Sequence, residues 1–277
     1  MDPLLLSFLA APMAASLIIA GIHAYLGLHV VERGVIFVDL SLAQIASLGA
    51  AIAVWQGHDP HEPMIYWMSL GFTLIGALAF AVIKGHEANI PQEAIIGITY
   101  AVASAAVILT LSKATGQAEH LRDMLVGNIL AVSWDDVWHT AALYGAVGIF
   151  HYLFRHQFLQ ISIDRSGALA RGMSVRLWDF LFYASFGFVV TSSVAIAGVL
   201  LVFCYLIVPS VAAMLYADRI GARLAIGWSM GTAVSILGMY FSVLFDLPTG
   251  ATIVCTFGLV LVLMAAVRPL LLTRAGR

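Results

Sequence analysis

The stretch Val35–Trp55, VIFVDLSLAQIASLGAAIAVW, decides how this chain is read. It is about 21 residues long and mostly apolar, the length a helix needs to cross roughly 30 Å of hydrocarbon. It carries an acid, an amide and two serines. An ionisable side chain inside such a run is costly in lipid and marks a candidate functional position. At 100° per residue, Ala43, Ala46, Ala50 and Ala53 share a stripe with Asp39, and small residues at that spacing let a neighbouring helix approach closely. Ser41, Gln44 and Ser47 recur every three residues, as a polar ladder beside the stripe. Gln44 lies roughly 14 Å from Val35 along a helix axis, near the midplane of a bilayer.

The rest of the chain is of the same kind. Of 277 residues, 62% are hydrophobic and 10% charged; a soluble domain carries about 25% charged residues. The composition therefore predicts an all-α, polytopic membrane bundle. A net charge of −2 gives no basis for nucleic-acid binding. Met1–Val31 has no basic start and too long an apolar run for a cleavable signal. Cys204 and Cys255 sit in apolar segments and read as small packing residues.

Apolar runs predict spans near 4–28, 35–56, 63–83, 92–112, 136–154, 176–195, 199–217, 222–245 and 249–272. The short connection TSSVAIAG at 191–198 leaves open that one of its flanking runs is a half-helix, so the expectation is eight to nine spans. With nine spans and the N-terminus outside, Arg33, Lys84, Arg155, Arg165, Arg171, Arg176, Arg219, Arg223, Arg268, Arg274 and Arg277 face inward. Only Lys113 and Arg122 then face outward, and these 11 and 2 account for all 13 basic residues. That is the bias expected of cytoplasmic loops, and it places the C-terminus inside. The chain reads as one transmembrane domain, 1–277.

Three segments lie between spans. HDPHEP at 58–63 places His58, Asp59, His61 and Glu62 at the outer mouth, donors suited to a divalent cation, or simply a solvated turn. Lys113–Asp136 is long enough for a short surface helix. Arg155–Arg176 is the longest inner loop; Asp164 is placed to cap a short helix there and Gly172 to stop it. Pro209 removes a helical hydrogen bond inside LLVFCYLIVPSVAAMLYA, and with Gly198 it brackets a candidate kink at a pathway. His23, His29, His139 and His151 are scattered and read as packing residues.

No phosphate loop, HExxH pair, GxSxG elbow or CxxC pair is present. Asp39 is the one clear acid inside a span, with Glu93 and Asp179 near span ends. The chain is thus expected not to be an enzyme, and any ATP would bind a partner.

These residues resemble the integral-membrane permease subunits of the zinc, manganese and iron ABC importers. RGVIFVDLSLAQIASLGAAIA at 33–53 is similar to that family's second-span block. PQEAIIGITYAVASAAVILTLS at 91–112 looks like its acid-and-IGI block, and LVGNILAVSWDDV at 125–137 like its G-x-I-L-x-V-S segment. IDRSGALARGM at 163–173 resembles its ATPase-docking segment, and GVLLVFCYLIVPSVAAML at 198–215 its proline-containing block. The resemblance implies a homodimeric or paired permease in a bacterial or archaeal cell membrane. It also implies separate ATPase subunits and an extracytoplasmic metal-binding protein, with a divalent metal as cargo and no resident cofactor. It places ATPase docking at about 160–175, on Asp164, Arg165, Ala168, Ala170, Arg171 and Gly172.

One departure bears on the cargo. Many members carry an aspartate and a histidine four apart in the second span. Aligned on Gly49, those positions are Leu40 and Gln44 here, and Asp39 lies one residue away. The expected pathway group is Asp39, Ser41, Gln44 and Ser47, whose oxygens suit harder cations better than zinc. A metal chelate or another small molecule as cargo stays open on the sequence, as do a non-transporting scaffold and an ion-coupled carrier.

Overall fold

The computed structural model describes residues 3–59, 62–83, 91–113 and 129–275. Its regular secondary structure in these residues is all helical. The helices are α1 Pro3–Glu32, α2 Val38–Trp55, α3 Pro63–Ile83, α4 Gln92–Leu111, α5 Trp134–Leu153, α6 Arg155–Ile163, α7 Arg165–Ala170, α8 Val175–Ala197, α9 Val199–Tyr216, α10 Ile220–Phe245 and α11 Thr249–Ala275, with a 3-10 turn at Ile129–Ala131. Nine of the eleven have 18 residues or more, and each answers to one of the nine apolar runs. Eight of the nine are also apolar enough to cross a membrane. The exception is α5, which carries Asp135, Asp136, His139 and His151.

The junction between α8 and α9 settles the half-helix alternative. Both are full helices, of 23 and 18 residues, separated by Gly198 alone. Gly198 has φ 76° and ψ 161°, a conformation essentially restricted to glycine. One residue thus turns the chain without a loop. At the start of α5, Ser133 and Asp136 form a capping box: Ser133 N–H donates to Asp136 Oδ2 (3.0 Å) and Asp136 N–H to Ser133 Oγ (3.2 Å).

The chain divides into two compact units, each assembled from separate stretches of sequence. The first comprises Met1–Val31, Val126–Tyr144 and Ile196–Arg277. Here α1 meets α9 at very short range, since a Cβ on Gly27 would lie 1.9 Å from Leu206 O. Ser210 Oγ donates to Leu206 O (2.9 Å), one turn back in α9. Tyr205 and Ser235 hydroxyls pair at 2.7 Å, joining α9 to α10. Such hydroxyl pairs and small-residue contacts hold helices together where lipid removes the hydrophobic drive for association. Pro209 is buried in α9, with Gly227 and Gly231 of α10 against it. His23 packs edge-on to Tyr144, its Nδ1 2.9 Å from Ile19 O, and His29 packs edge-on to Tyr25.

The second unit comprises Glu32–Leu125 and Gly145–Ala195. Its centre is α2, which packs on α3 and α4. A Cβ on Gly49 would lie 2.5 Å from Met68 O, so the α2 and α3 backbones nearly touch. Thr73 of α3 pairs with Thr191 of α8 at 3.1 Å. A ring cluster binds α5, α6 and α8: His151 stacks on Phe158 at 4.2 Å, and Phe158 meets Trp178 and Phe182. His151 Nε2 lies 2.8 Å from Ser185 Oγ, so this histidine is a bonded packing residue.

Candidate functional site: the polar helix α2 and the inner-loop helix

The chain enters α2 through a tight turn. Gly34 has φ 64°, and Val38 N–H donates to Val35 O (3.1 Å). No side chain of its own caps the helix. Instead Glu93, in the first turn of α4, accepts the Phe37 N–H at 3.1 Å. A carboxylate on a helix N-terminus satisfies a free donor and opposes the helix dipole.

Along α2 the polar ladder and the small-residue stripe both point inward. Asp39, Ser41, Gln44 and Ser47 are at most 5% exposed, and Ala43, Ala46, Ala50 and Ala53 at most 4%. Helical geometry separated a packing face from a polar face; in the folded chain α2 is enclosed on both. Ser47 Oγ is satisfied by Ala43 O at 2.9 Å. Asp39 Oδ1 and Ser41 Oγ, by contrast, have no hydrogen-bond partner among the described residues. Buried polar atoms are nearly always paired, so two orphans one turn into a membrane helix call for a reason.

The outer candidates are only partly brought together. His58 Nδ1 lies 2.8 Å from Glu62 Oε2, four residues apart in the connection between α2 and α3. Asp59 is exposed, and His61 lies outside the described residues. Among the described residues, no three of His, Cys, Asp and Glu converge as a metal-holding group.

The connection between α5 and α8 forms two helices, α6 and α7. Asp164 caps α7, its Oδ1 accepting the Gly167 N–H (2.8 Å) and the Ser166 hydroxyl (3.1 Å). Gly172 ends it at φ 77°, with its N–H on Leu169 O and that of Met173 on Ala168 O. The Gly167 N–H, and after it the Ser166 hydroxyl and Arg171, hold the Asp164 carboxyl below its usual range. Leu169, Ala170, Arg171 and Gly172 are exposed on this short helix. Ala168 is fully buried with Ile161 and Val175, and Arg165 turns inward.

Arg165 leads to the group that sequence reasoning missed. Its Nη1 bonds Asp179 Oδ2, while Arg33 Nη1 bonds Asp179 Oδ1 at 2.7 Å. Arg33 Nε also donates to Ser162 Oγ (2.8 Å), and its guanidinium lies 4.0 Å over the Phe182 ring. The Arg33 and Asp179 side chains are 1% and 0% exposed. Burial pulls Arg33 below the usual arginine range, and the Asp179 charge opposes that. In sequence Arg33 registered only as a topology charge and Asp179 as an acid near a span end. The one available signal was the cost of an ionisable group in a span, which demands a partner of opposite sign.

Among the described residues, eight helices long and apolar enough to cross a membrane, one of them carrying a buried polar ladder, make this a multi-pass membrane protein. The chain belongs to the ABC 3 transport family, whose model matches residues 6–268. It is 27% identical over 249 residues to the "Manganese transport system membrane protein MntC" of Halalkalibacterium halodurans, covering 90% of this chain and 83% of that one. It is 25% identical over 262 residues to the "Manganese import system permease protein ScaB" of Streptococcus gordonii, covering 95% and 92%. Its fold matches a chain of the structure titled "PsaBC from Streptococcus pneumoniae in complex with Fab", with a TM-score of 0.78, 24% identity, and coverage of 93% and 90%.

Proposed function

We propose that this chain is the membrane-crossing permease subunit of an ATP-driven importer of divalent metal ions. A separate extracytoplasmic binding protein delivers the metal, separate ATPase subunits drive the cycle, and a second permease copy completes the pathway. The whole of 1–277 acts as one permease domain, multi-pass in a bacterial or archaeal cell membrane, with the N-terminus outside and the C-terminus inside.

The observation that carries this reading is a family match spanning residues 6–268, over a chain whose second span holds buried oxygens with no hydrogen-bond partner among the described residues. Asp39, Ser41, Gln44 and Ser47 are the proposed pathway group on α2. A carboxylate, an amide and hydroxyls form an all-oxygen set, which suits Mn²⁺ or Fe²⁺ better than zinc, whose sites favour nitrogen and sulfur. The manganese named for two relatives agrees with that chemistry. His58, Asp59, His61 and Glu62 are proposed to collect cations at the outer mouth. The exposed rim of α7, with Ala170, Arg171 and Gly172, is the proposed ATPase contact, while Asp164, Arg165 and Ala168 hold that helix in place. Gly198 and Pro209 shape α9, the proposed pathway kink.

The test is cellular. Deleting the gene should lower cell manganese or iron when the medium is poor in them, and the plasmid-borne gene should restore it. Unchanged content of manganese, iron and zinc in the deletion strain would remove the import reading.

A further inference from the structure

We propose that Asp179, held between Arg33 and Arg165, is the joint through which the inner-loop helix α7 moves the foot of α2. The proposal rests on the permease reading above and names positioning residues within it.

Arg33 sits directly between α1, which ends at Glu32, and the turn that opens α2 at Val38. Only residues 34–37 separate it from the helix, and that turn is closed by a backbone hydrogen bond. A shift of the Arg33 guanidinium therefore reaches the first turn of α2, where Asp39 lies, with little slack. The hydrogen-bond partners of Arg33 lie on α6 and α8. Ser162 is the penultimate residue of α6, and Asp179, one turn into α8, also binds Arg165, which opens α7. Both oxygens of one carboxylate are used, one for each arginine.

The contacts differ in kind from a surface ion pair. Arg33 and Asp179 are fully buried, and only Arg165 keeps 29% exposure. Exposed pairs are screened and loosely held, whereas buried charge-assisted bonds break as a unit or stay made. α7 is itself fixed to this group, since Ala168 packs on Ile161 and Val175. From the other side Tyr183, bonded to Gln92 of α4 at 3.2 Å, and the Glu93 bond to Phe37 confine the α2 entrance. A push on the exposed rim of α7 thus has a bonded route to the α2 foot, and α4 provides the opposing support. Two arginines on one aspartate leave one excess positive charge. Removing Arg33 therefore leaves a balanced Arg165–Asp179 pair, a milder change than removing Asp179.

The experiment uses the complete complex, permease with its ATPase and binding protein, in vesicles. Mn²⁺ uptake and phosphate release are read from the same sample. Arg33→Gln should keep ATPase copurification and basal hydrolysis, while Mn²⁺ moved per ATP falls about fivefold or more, the low end of coupling between sites. Arg33→Lys, which keeps the charge but loses the fork, should fall between the two. Ser162→Ala deletes the acceptor of Arg33 Nε, together with the hydroxyl's own bond to Phe158 O one turn back in α6, and should lower the ratio in the same direction; it carries the test where Arg33→Gln does not assemble. A ratio in both Arg33→Gln and Ser162→Ala equal to that of wild type would overturn the joint. A wild-type complex that moves no metal would instead overturn the permease reading, and the joint with it.

Discussion

At the scale of single residues, α2 and α7 make different demands. Asp39 and Gln44 are buried polar groups, and Asp39 Oδ1 has no hydrogen-bond partner among the described residues. Asp39→Ala and Gln44→Ala should each lower Mn²⁺ uptake about tenfold, a cost of roughly 1.4 kcal/mol, with the ATPase still bound. Gln44→His supplies the imidazole that the family resemblance leads one to expect here, and should raise the ratio of Zn²⁺ to Mn²⁺ uptake. Wild-type uptake and selectivity in all three variants would remove the α2 group. Asp164 makes a prediction about pH. Its carboxyl is held low by the Gly167 N–H, so its capping contribution is complete above the unfolded-state value. That contribution is lost as pH falls through the depressed folded value. Protease cleavage of the 160–175 loop should therefore rise on acidification, and Asp164→Asn should flatten that dependence. Gly167→Ala should cleave faster at every pH, because its Cβ would meet the Asp164 carboxylate at 1.8 Å.

At the scale of helices, close approach and helix termination set the local architecture. Gly49 permits α2 and α3 to touch, and Gly198 lets α8 and α9 follow one another without a loop. Gly49→Val should cost about 1–3 kcal/mol by overpacking, and Gly198→Ala about 1–3 kcal/mol by backbone strain. Both should appear as earlier thermal aggregation of the purified protein in detergent; unchanged melting would contradict the geometry. The helices themselves were legible in the sequence. Runs predicted at 63–83 and 92–112 appear as Pro63–Ile83 and Gln92–Leu111, because twenty apolar residues between polar turns leave a membrane chain few alternatives. The cap at Asp164 and the stop at Gly172 were legible for the same local reason. The Arg33–Asp179 bond was not, because its partners are 146 residues apart and no local pattern links them. The enclosure of both faces of α2 was also hidden, since helical periodicity reports which residues share a face but not how many neighbours the helix has.

At the scale of the whole chain, if α5 crosses with the eight more apolar helices and the N-terminus is outside, 11 of 13 basic residues fall inside, which predicts an odd topology with opposed termini. A reporter fused after Arg277 should be active only in the cytoplasm, and one fused at the N-terminus only outside. Finding both on one side would require an even number of crossings and would unseat α5, the least apolar of the nine. The inner-loop helix then faces the ATP-rich compartment, where a driving subunit can reach it. The central claim is that this chain moves a divalent metal inward at the expense of ATP hydrolysed by a partner. Vesicles bearing the permease and its ATPase, with ATP on the ATPase side and the binding protein opposite, should accumulate Mn²⁺ or Fe²⁺ faster than Zn²⁺, and only with hydrolysable ATP. Failure of all three metals to accumulate, with ATPase and binding protein both bound, would contradict the account.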